Sequence, residues 1–343
     1  MGTTTGTTSS QTQTMHAVVQ HAYGSADVLH VEEIPRPTVG DHEVLIAVAA
    51  AGLDRGRWHL MAGKPYLTRL MGFGLRRPKD PVPGSEVAGT VVATGAAVTR
   101  FGPGDEVFGI AKGSFAEYSA AKEGKLARKP AGVSFEQAAA VGVSGLAALQ
   151  AVRDSGRLQP GQQVLIIGAS GGVGILAVQL AKAMGAEVTG VCSTAKVDLV
   201  TAAGADHAID YTTDDFAAGT RHYDLVVDAG GNTALARLRQ ALTPRGTLVI
   251  VGGENGGRWT GGFGRQILRA PLLSLFVRQR LTSLMTKEVG SDHEVLGEFM
   301  AAGKLTPVID RVYPLGEAAD AMRRLQSGEA RGKIVLQVAH PAG

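Results

Sequence analysis

The feature that most constrains this chain is an apolar strand that runs through a glycine-rich turn directly into a helix. Val164 to Ile167 are apolar, glycines follow at positions 168, 171, 172 and 174, and residues 175–184 have the apolar spacing of a helix. Glycines let a backbone approach a diphosphate closely, and a helix N-terminus offers free N–H groups and a positive dipole end. The turn predicts a dinucleotide site, although it lacks strict G-x-G-x-x-G spacing. The alternative is an ordinary strand–turn–helix junction with glycines that serve packing.

Apolar strands alternate with helical segments around this turn. The predicted strands are 163–168, 187–192, 208–209, 224–229 and 247–252, and the predicted helices are 174–185, 195–204 and 233–242. This alternation predicts a parallel sheet that is covered by helices on both faces.

The N-terminal part of the chain is rich in short strands and turns. Strands are predicted at 15–21, 28–33, 43–52, 86–94, 105–110 and 114–121, which indicates a barrel-like β domain. Ser134 and Gln137 have the spacing of a capping box that opens a helix. The tail has predicted helices at 293–302 and 315–327 and a strand at 332–338, and it could return to complete the first domain. Residues 1–14 are polar and predicted to be a disordered tail.

Composition excludes several classes of function. A net charge of +3 and 5% aromatic residues argue against a nucleic-acid partner. The single cysteine, Cys192, excludes an internal disulfide or a multi-cysteine zinc site, and its residue type favours a buried apolar role. Because there is neither a signal-peptide pattern nor a long apolar run, we expect a cytoplasmic protein without a membrane partner.

The residues that follow the second predicted strand of the parallel sheet, 187–192, indicate whether NAD or NADP binds. An acidic residue at this position would hold the ribose 2′-hydroxyl of NAD, but here Ser193, Thr194 and Lys196 follow the strand. Hydroxyls and an ammonium group suit a 2′-phosphate, so NADPH is the predicted cofactor. The alternative for Lys196 is a solvated lysine in the first turn of a helix.

Several further segments carry a family resemblance. They are 83–89 (PGSEVAG), 104–109 (GDEVFG), 113–118 (GSFAEY), 204–207 (GADH), 209–211 (IDY) and 331–336 (RGKIVL). With the glycine turn, they make the chain resemble the zinc-independent quinone oxidoreductase branch of the medium-chain dehydrogenase/reductase superfamily, over nearly all of residues 15–338.

The resemblance implies an α/β fold in which a doubly wound Rossmann sheet, residues 136–286, is inserted in a GroES-like β-barrel domain, residues 15–135 and 287–343. It implies that nicotinamide and substrate share the cleft between the domains, and that the chain forms a homodimer. Ser193, Lys196 and Tyr211 would contact the 2′-phosphate, and the glycines at 230, 231, 252 and 253 would lie near the nicotinamide. The candidate cofactor-binding residues are Ser144, Gly168, Ser170, Gly171, Gly172, Val173, Gly174, Ser193, Thr194, Lys196, Tyr211, Gly230, Gly231, Gly252 and Gly253.

The resemblance also indicates that no catalytic metal is bound. The positions that match the zinc ligands of related alcohol dehydrogenases are Asp54, Ser85 and Ala140, and a cysteine-rich lobe is missing after Gly95. Without a Lewis acid the substrate must accept hydride readily, which favours a quinone or an α,β-unsaturated carbonyl. A metal-free carbonyl reductase and an NADPH-binding sensor without turnover are the alternatives.

Asp54 and His59 are the candidate catalytic residues. The related quinone reductases have asparagine and often tyrosine at these positions, so both residues depart from the pattern. Asp54 could donate a proton or hold the nicotinamide ribose, and His59 could protonate an enolate. Alternatively, Asp54 pairs with Arg55 or Arg57, and His59 is a packed or exposed helix residue. Residues 64–83 are predicted to form a lid, and residues 252–280 a pocket wall or dimer interface.

Overall fold

The fold is that of a computed structural model, which describes residues 13–231, 233–252 and 263–339 together with positions 257, 259 and 261. The strands are β1 Thr14–Val19, β2 His30–Pro35, β3 Glu43–Leu53, β4 Glu86–Thr94, β5 Glu106–Ile110, β6 Tyr118–Lys122, β7 Leu126–Arg128, β8 Gln163–Ile167, β9 Glu187–Cys192, β10 His207–Asp210, β11 Tyr223–Asp228, β12 Leu242–Ile250, β13 Arg280–Ser283, β14 Ile309–Pro314 and β15 Lys333–Gln337. The helices are α1 Arg55–Ala62, α2 Phe135–Ala139, α3 Gly142–Gln150, α4 Gly172–Ala183, α5 Val197–Ala202, α6 Leu235–Gln240, α7 Phe263–Ser274, α8 Gly290–Ala301 and α9 Ala318–Ser327.

One sheet is parallel throughout its described strands, in the order β10-β9-β8-β11-β12-β13. Its strands are apolar and largely buried because α4 and the other connecting helices cover the sheet. The strand order reverses between β8 and β11, and a ligand binds beyond the carboxyl ends of the strands at such a reversal. The predicted doubly wound sheet is confirmed, and the glycine turn lies at this point.

The second large sheet has the order β14-β15-β3-β4-β5-β7, with β6 paired to β3. β15 runs antiparallel to β3, where Leu336 lies opposite Ala51, and β14 pairs with β15 in parallel. The end of the chain therefore returns to the sheet that the first part begins. The exact domain boundaries at 135/136 and 286/287 stay a prediction.

A shared core fixes the two sheets relative to each other. One buried cluster contains Phe108 of β5, Leu146 of α3 and Leu176 of α4, all fully buried. Burying a side chain of this size contributes about 1.5–3 kcal/mol, so the junction resists separation. The capping box that opens α2 is present, because Gln137 N–H donates to Ser134 Oγ at 3.2 Å and Ser134 N–H donates to Gln137 Oε1 at 3.1 Å.

Several predicted boundaries differ from the structure, among them those of the N-terminal tail and of the strand predicted at 114–121. β1 begins at Thr14, so positions 13 and 14 do not belong to the predicted tail, whose residues 1–12 lie outside the described residues. The strand predicted at 114–121 begins only at Tyr118, because Phe115 N–H donates to Pro83 O and Ala116 bridges to Ala17 before the ladder with β3 starts. Among the described residues, no helix has the length and hydropathy needed to cross a membrane.

Candidate active site

The glycine turn closes tightly between β8 and α4. Gly168 has φ +77°, a conformation that L side chains rarely adopt, and its N–H and that of Ala169 donate to Val191 O of β9. A Cβ on Gly174 would lie 2.1 Å from Gly168 O, so only glycine fits there. No described side chain caps the N-terminus of α4 at Gly171. The turn thus offers backbone N–H groups and a helix dipole to an anion, which fits a cofactor diphosphate.

A second glycine loop touches the first. A Cβ on Gly168 would lie 2.9 Å from Gly230 N, just after β11. Gly231 N–H donates to Asp228 Oδ1 at 2.8 Å, and Gly252 follows β12 at the same edge of the sheet. The structure therefore places Gly168, Gly230 and Gly231 side by side, while Gly253 lies outside the described residues. Their contacts with a cofactor stay a prediction.

Sequence reasoning missed Asp228, the buried acid beneath this loop. Its carboxylate is fully buried, and Oδ2 has no hydrogen-bond partner in the described structure. Burial raises the pKa of Asp228 to about 6, while the N–H groups of Gly231 and Gly230 act in the opposite direction. The sequence showed an acid at a strand end, but nothing in it revealed the depth of burial.

The residues predicted to contact the adenosine 2′-phosphate follow β9 and β10. Ser193 is the N-cap of a 3₁₀ turn that contains Thr194 and Lys196, and Tyr211 is exposed and donates its N–H to Cys192 O. Lys196 Nζ donates to Gly328 O and Ala330 O, both at 2.8 Å. Burial lowers the pKa of Lys196, and the charge of Asp310 opposes that shift.

An acid from the neighbouring strand also reaches these residues. The Thr194 hydroxyl donates to the carboxylate of Asp210, at the end of β10, and lies 3.0 Å from the hydroxyl of Thr212. Asp198, the nearest acid in sequence, pairs instead with Arg331 at 2.7 Å. The parallel pairing of β9 with β10 brings Asp210 here, and sequence distance could not show it.

A buried ion pair within the seven-stranded sheet lies next to the glycine turn. Lys333 Nζ of β15 lies 2.5 Å from Glu86 Oε2 of β4 and also donates to Leu53 O and Ser144 Oγ. Glu86 Oε1 accepts the N–H groups of Val143 and Ser144, so a side chain of β4 caps α3. Burial raises the pKa of Glu86, and the charge of Lys333 opposes this shift.

Ser144 was a predicted cofactor residue, and the structure explains its position. Its hydroxyl accepts a hydrogen bond from Lys333 at 3.0 Å and would lie 3.4 Å from a Cβ on Gly172. Ser144 therefore lies against the glycine turn at the point where the ion pair meets it. Glu86 and Lys333 belong to two motifs of the sequence, but their pairing across 247 positions carried no local signal.

The two predicted catalytic residues lie at opposite ends of α1. Asp54 is the N-cap: Oδ1 accepts Arg57 N–H at 3.0 Å, and Oδ2 is buried without a described hydrogen-bond partner. His59 lies in the last turn, with Nδ1 3.1 Å from Lys64 O and its ring against Trp58. The structure gives both residues local structural contacts and leaves their catalytic roles as predictions.

Arg57, which the sequence suggested only as a partner of Asp54, lines a cavity between α1 and the seven-stranded sheet. Its Nε donates to Ser85 Oγ at 2.9 Å. The cavity has a volume of about 430 Å³, and its lining includes Tyr23, Arg57, Met61, Phe73, Val82 and Ile110. Residues 78–80 and 82–83 of the predicted lid also line it, whereas no described residue of 252–280 does.

The positions that match zinc ligands in the related alcohol dehydrogenases do not fit a zinc ion. Ala140 has no donor atom, and Ser85 Oγ already accepts a hydrogen bond from a guanidinium group, whose positive charge opposes a nearby cation. One carboxylate oxygen of Asp54 accepts a hydrogen bond from Arg57 N–H and caps α1. The three residues therefore lack the donor chemistry of a catalytic zinc site.

Adjacent glycine loops at the switch point of a doubly wound sheet are typical of a dinucleotide-binding domain. Comparison with known families agrees. Residues 40–131 match the family described as alcohol dehydrogenase GroES-like domain, and residues 203–336 match zinc-binding dehydrogenase.

Known relatives match almost end to end. A chloroplastic quinone-oxidoreductase of Triphysaria versicolor is 33% identical, covering 94% of this chain and 98% of the relative. An NADPH-dependent alkenal/one oxidoreductase of Arabidopsis thaliana is also 33% identical, covering 94% and 79%. The solved structure of the quinone oxidoreductase from Coxiella burnetii has a TM-score of 0.84 at 28% identity, covering 95% and 100%. The chain belongs to the medium-chain dehydrogenase/reductase superfamily, in its quinone oxidoreductase-like branch.

Proposed function

We propose that the chain transfers hydride from NADPH to a quinone or an α,β-unsaturated carbonyl without a catalytic metal. The reaction consumes one proton and leaves NADP⁺: hydride adds to a carbonyl oxygen or a ring carbon of the quinone, or to the β-carbon of the enone, and the proton completes the hydroquinone or the saturated carbonyl. The names of the two relatives above support this class of substrate. The observation that carries the proposal is the guanidinium of Arg57 beside Ser85, a position that provides a zinc ligand in related alcohol dehydrogenases.

Arg57 would stabilise the substrate oxygen on which negative charge develops. The bound nicotinamide supplies the hydride, and the charge that it adds spreads onto the conjugated oxygen. Ser85 orients the guanidinium of Arg57, which lines the cavity. Asp54, at the N-terminus of the same helix, and His59, through its Nε2, are the proposed proton donors.

A substrate panel separates the proposed function from its alternatives. Chelator-treated protein should oxidise NADPH with quinones or enones. Turnover of simple aldehydes alone would favour a carbonyl reductase. Tight NADPH binding without turnover of any compound in the panel would favour a sensor. Turnover that requires added zinc would contradict the metal-free proposal.

Two substitutions test the role of Arg57. Arg57→Gln should lower kcat/KM by about 10²–10³-fold, because the variant loses a charged donor to the oxyanion. Arg57→Lys should retain part of the activity, because the charge remains. Equal activity of the wild type and the Gln variant would remove Arg57 from the mechanism.

The preference for NADPH rests on Lys196. An ammonium group has three donors, and two carbonyls use two of them, so the third is available for a 2′-phosphate. Lys196→Ala should weaken NADPH binding and leave NADH binding nearly unchanged. An equal loss for both coenzymes would contradict the contact. Tighter binding of NADH to the wild type would point instead to Asp210 and Thr194 as a ribose site.

We also propose a homodimer. β13 is an edge strand among the described strands of the parallel sheet, and Leu275, Phe276 and Met285 nearby are more than three-quarters exposed. Open strand edges and exposed apolar side chains favour pairing with a second copy. Light scattering should give twice the 35.5 kDa of one chain; a monomer at micromolar concentration would contradict this assignment. The expected cytoplasmic location stays a prediction.

A further inference from the structure

Two histidines and a glutamate converge on the surface where β1 passes to β2. β1 ends at Val19, which lies opposite His30, and Ala17 lies opposite Glu32, so the antiparallel turn brings His21 back beside both. His21 Nε2 lies 3.1 Å and His30 Nε2 lies 2.7 Å from the same atom, Glu32 Oε1. One donor atom from each of the three residues lies within 4.8 Å of the others.

These spacings suit a tetrahedral transition-metal ion. Zinc binds imidazole nitrogen and carboxylate oxygen at about 2.1 Å, which places tetrahedral ligands roughly 3.4 Å apart. The separation of His21 from Glu32, 3.1 Å, is near that value, and that of His30 from Glu32, 2.7 Å, is shorter. The nitrogens of the two histidines lie within 4.8 Å of each other, so side-chain rotations would bring the three donors to tetrahedral spacing. The side chains of His21, His30 and Glu32 are 60%, 51% and 37% exposed, so an ion and a completing water molecule can reach them.

The second nitrogen of His30 also has a neighbour. Nδ1 lies 3.3 Å from Val28 O, while Nε2 faces the carboxylate of Glu32. A backbone carbonyl on the distal nitrogen is the usual support of a metal-bound histidine.

We propose that His21, His30 and Glu32 bind a divalent ion of the zinc type, separately from the cofactor cleft. The ligand set of two imidazoles and a carboxylate selects zinc and its transition-metal neighbours over calcium and magnesium, which prefer oxygen alone. The site does not depend on the proposed oxidoreductase function, because none of its ligands lines the cavity.

The ion would hold a segment that supports the cavity wall. Two residues beyond His21, the Tyr23 hydroxyl donates to Phe73 O at 3.0 Å and Gly74 O at 2.7 Å, and Gly24 N–H donates to Met61 O. Fixing His21 to β2 therefore restrains the connection that carries Tyr23. Binding should raise the midpoint of thermal unfolding without being required for turnover.

The experiment is calorimetric titration of chelator-stripped full-length protein with zinc chloride. We expect one ion per chain, no competition from excess magnesium or calcium, and an upward shift of Tm. His30→Gln and Glu32→Gln should each weaken zinc binding by at least about tenfold, the loss typical of removing even a supporting partner of a ligand. In chelator, both variants should unfold at a Tm close to that of the wild type, which would show that they fold.

His207→Gln is the matched control. His207 pairs with Glu187 at 3.0 Å on the surface, but no third His, Cys, Asp or Glu among the described residues completes a metal-binding group there. This variant should bind zinc as the wild type does. The proposal is overturned if the wild type takes up no zinc, or if His30→Gln binds it as tightly as the wild type.

Discussion

The two sides of the candidate active site are built from different parts of the chain. The predicted cofactor side consists of backbone: a Cβ on Gly168 would collide with the main chain of Gly230, and a Cβ on Gly174 with that of Gly168. The proposed substrate side consists of side-chain pairs, Arg57 with Ser85 and Lys333 with Glu86, whose members come from separate segments. A backbone cradle is specified locally, whereas the side-chain pairs exist only after those segments have come together.

The largest expected effect concerns the buried ion pair of Lys333 with Glu86. Lys333→Ala should lower the free energy of unfolding by about 3–5 kcal/mol, because it leaves the carboxylate of Glu86 buried without its partner. Denaturant unfolding at neutral pH measures this loss. The double variant Glu86→Gln with Lys333→Met should recover most of it, since no buried charge remains. A loss below about 1 kcal/mol for Lys333→Ala would show that Glu86 does not depend on Lys333 as its partner.

The next effect depends on pH and concerns Asp228, a buried side chain on the cofactor side. Its pKa is raised to about 6 from a model-compound value of 3.8, so its favourable contribution is complete below pH 4 and is lost as the pH rises through 6. The difference corresponds to about 3 kcal/mol. Asp228→Asn keeps an oxygen acceptor for Gly231 N–H and does not titrate.

The measurement is therefore a difference between two pH profiles. Relative to the wild type, the free energy of unfolding of Asp228→Asn should increase by about 2.4 kcal/mol between pH 4 and pH 7. Lost packing or an unsatisfied amide would shift the whole profile without changing its slope. Parallel profiles would show that Asp228 titrates normally.

The smallest expected effect separates two glycines of the same turn. Gly174→Ala should cost about 1–3 kcal/mol, because its Cβ would lie 2.1 Å from Gly168 O. Gly171→Ala is the control: its φ is −80° and its Cβ would lie 3.4 Å from the same oxygen, so stability should change by less than about 0.5 kcal/mol. The control should still weaken coenzyme binding, because the methyl group obstructs the approach of the diphosphate. Equal stability of the two variants would show that Gly174 is not required by packing.

Much of the fold was predictable because its causes are local. The strands β4 and β9 have the predicted bounds, and the capping box at Ser134 was predicted from two residues three positions apart. The predicted helix at 195–204 is divided into a 3₁₀ turn at Thr194–Lys196 and α5, because Lys196 has a non-helical backbone where the chain turns. Propensity favours helix throughout this stretch and does not show the break.

The candidate site was predictable only in part. The glycines of the cofactor turn were identified, since a strand, a turn and a helix in succession leave few other arrangements. Arg57 and Asp228 were missed, because a guanidinium beside Ser85 and a carboxylate beneath a loop depend on contacts that the sequence does not display. Asp54 and His59 were predicted as catalytic residues because they depart from a family pattern. In the structure each of them also has a local contact.

The sequence by itself determined the parallel sheet, the glycine cradle at its switch point and the membership in an oxidoreductase superfamily, because periodicity and short motifs encode them within a few residues. Only the tertiary structure decided which charges are buried together, which cation lies beside Ser85 and which acid reaches Thr194. Those outcomes depend on desolvation and on distances of a few ångströms between residues up to 247 positions apart, and both quantities arise only when the chain has folded.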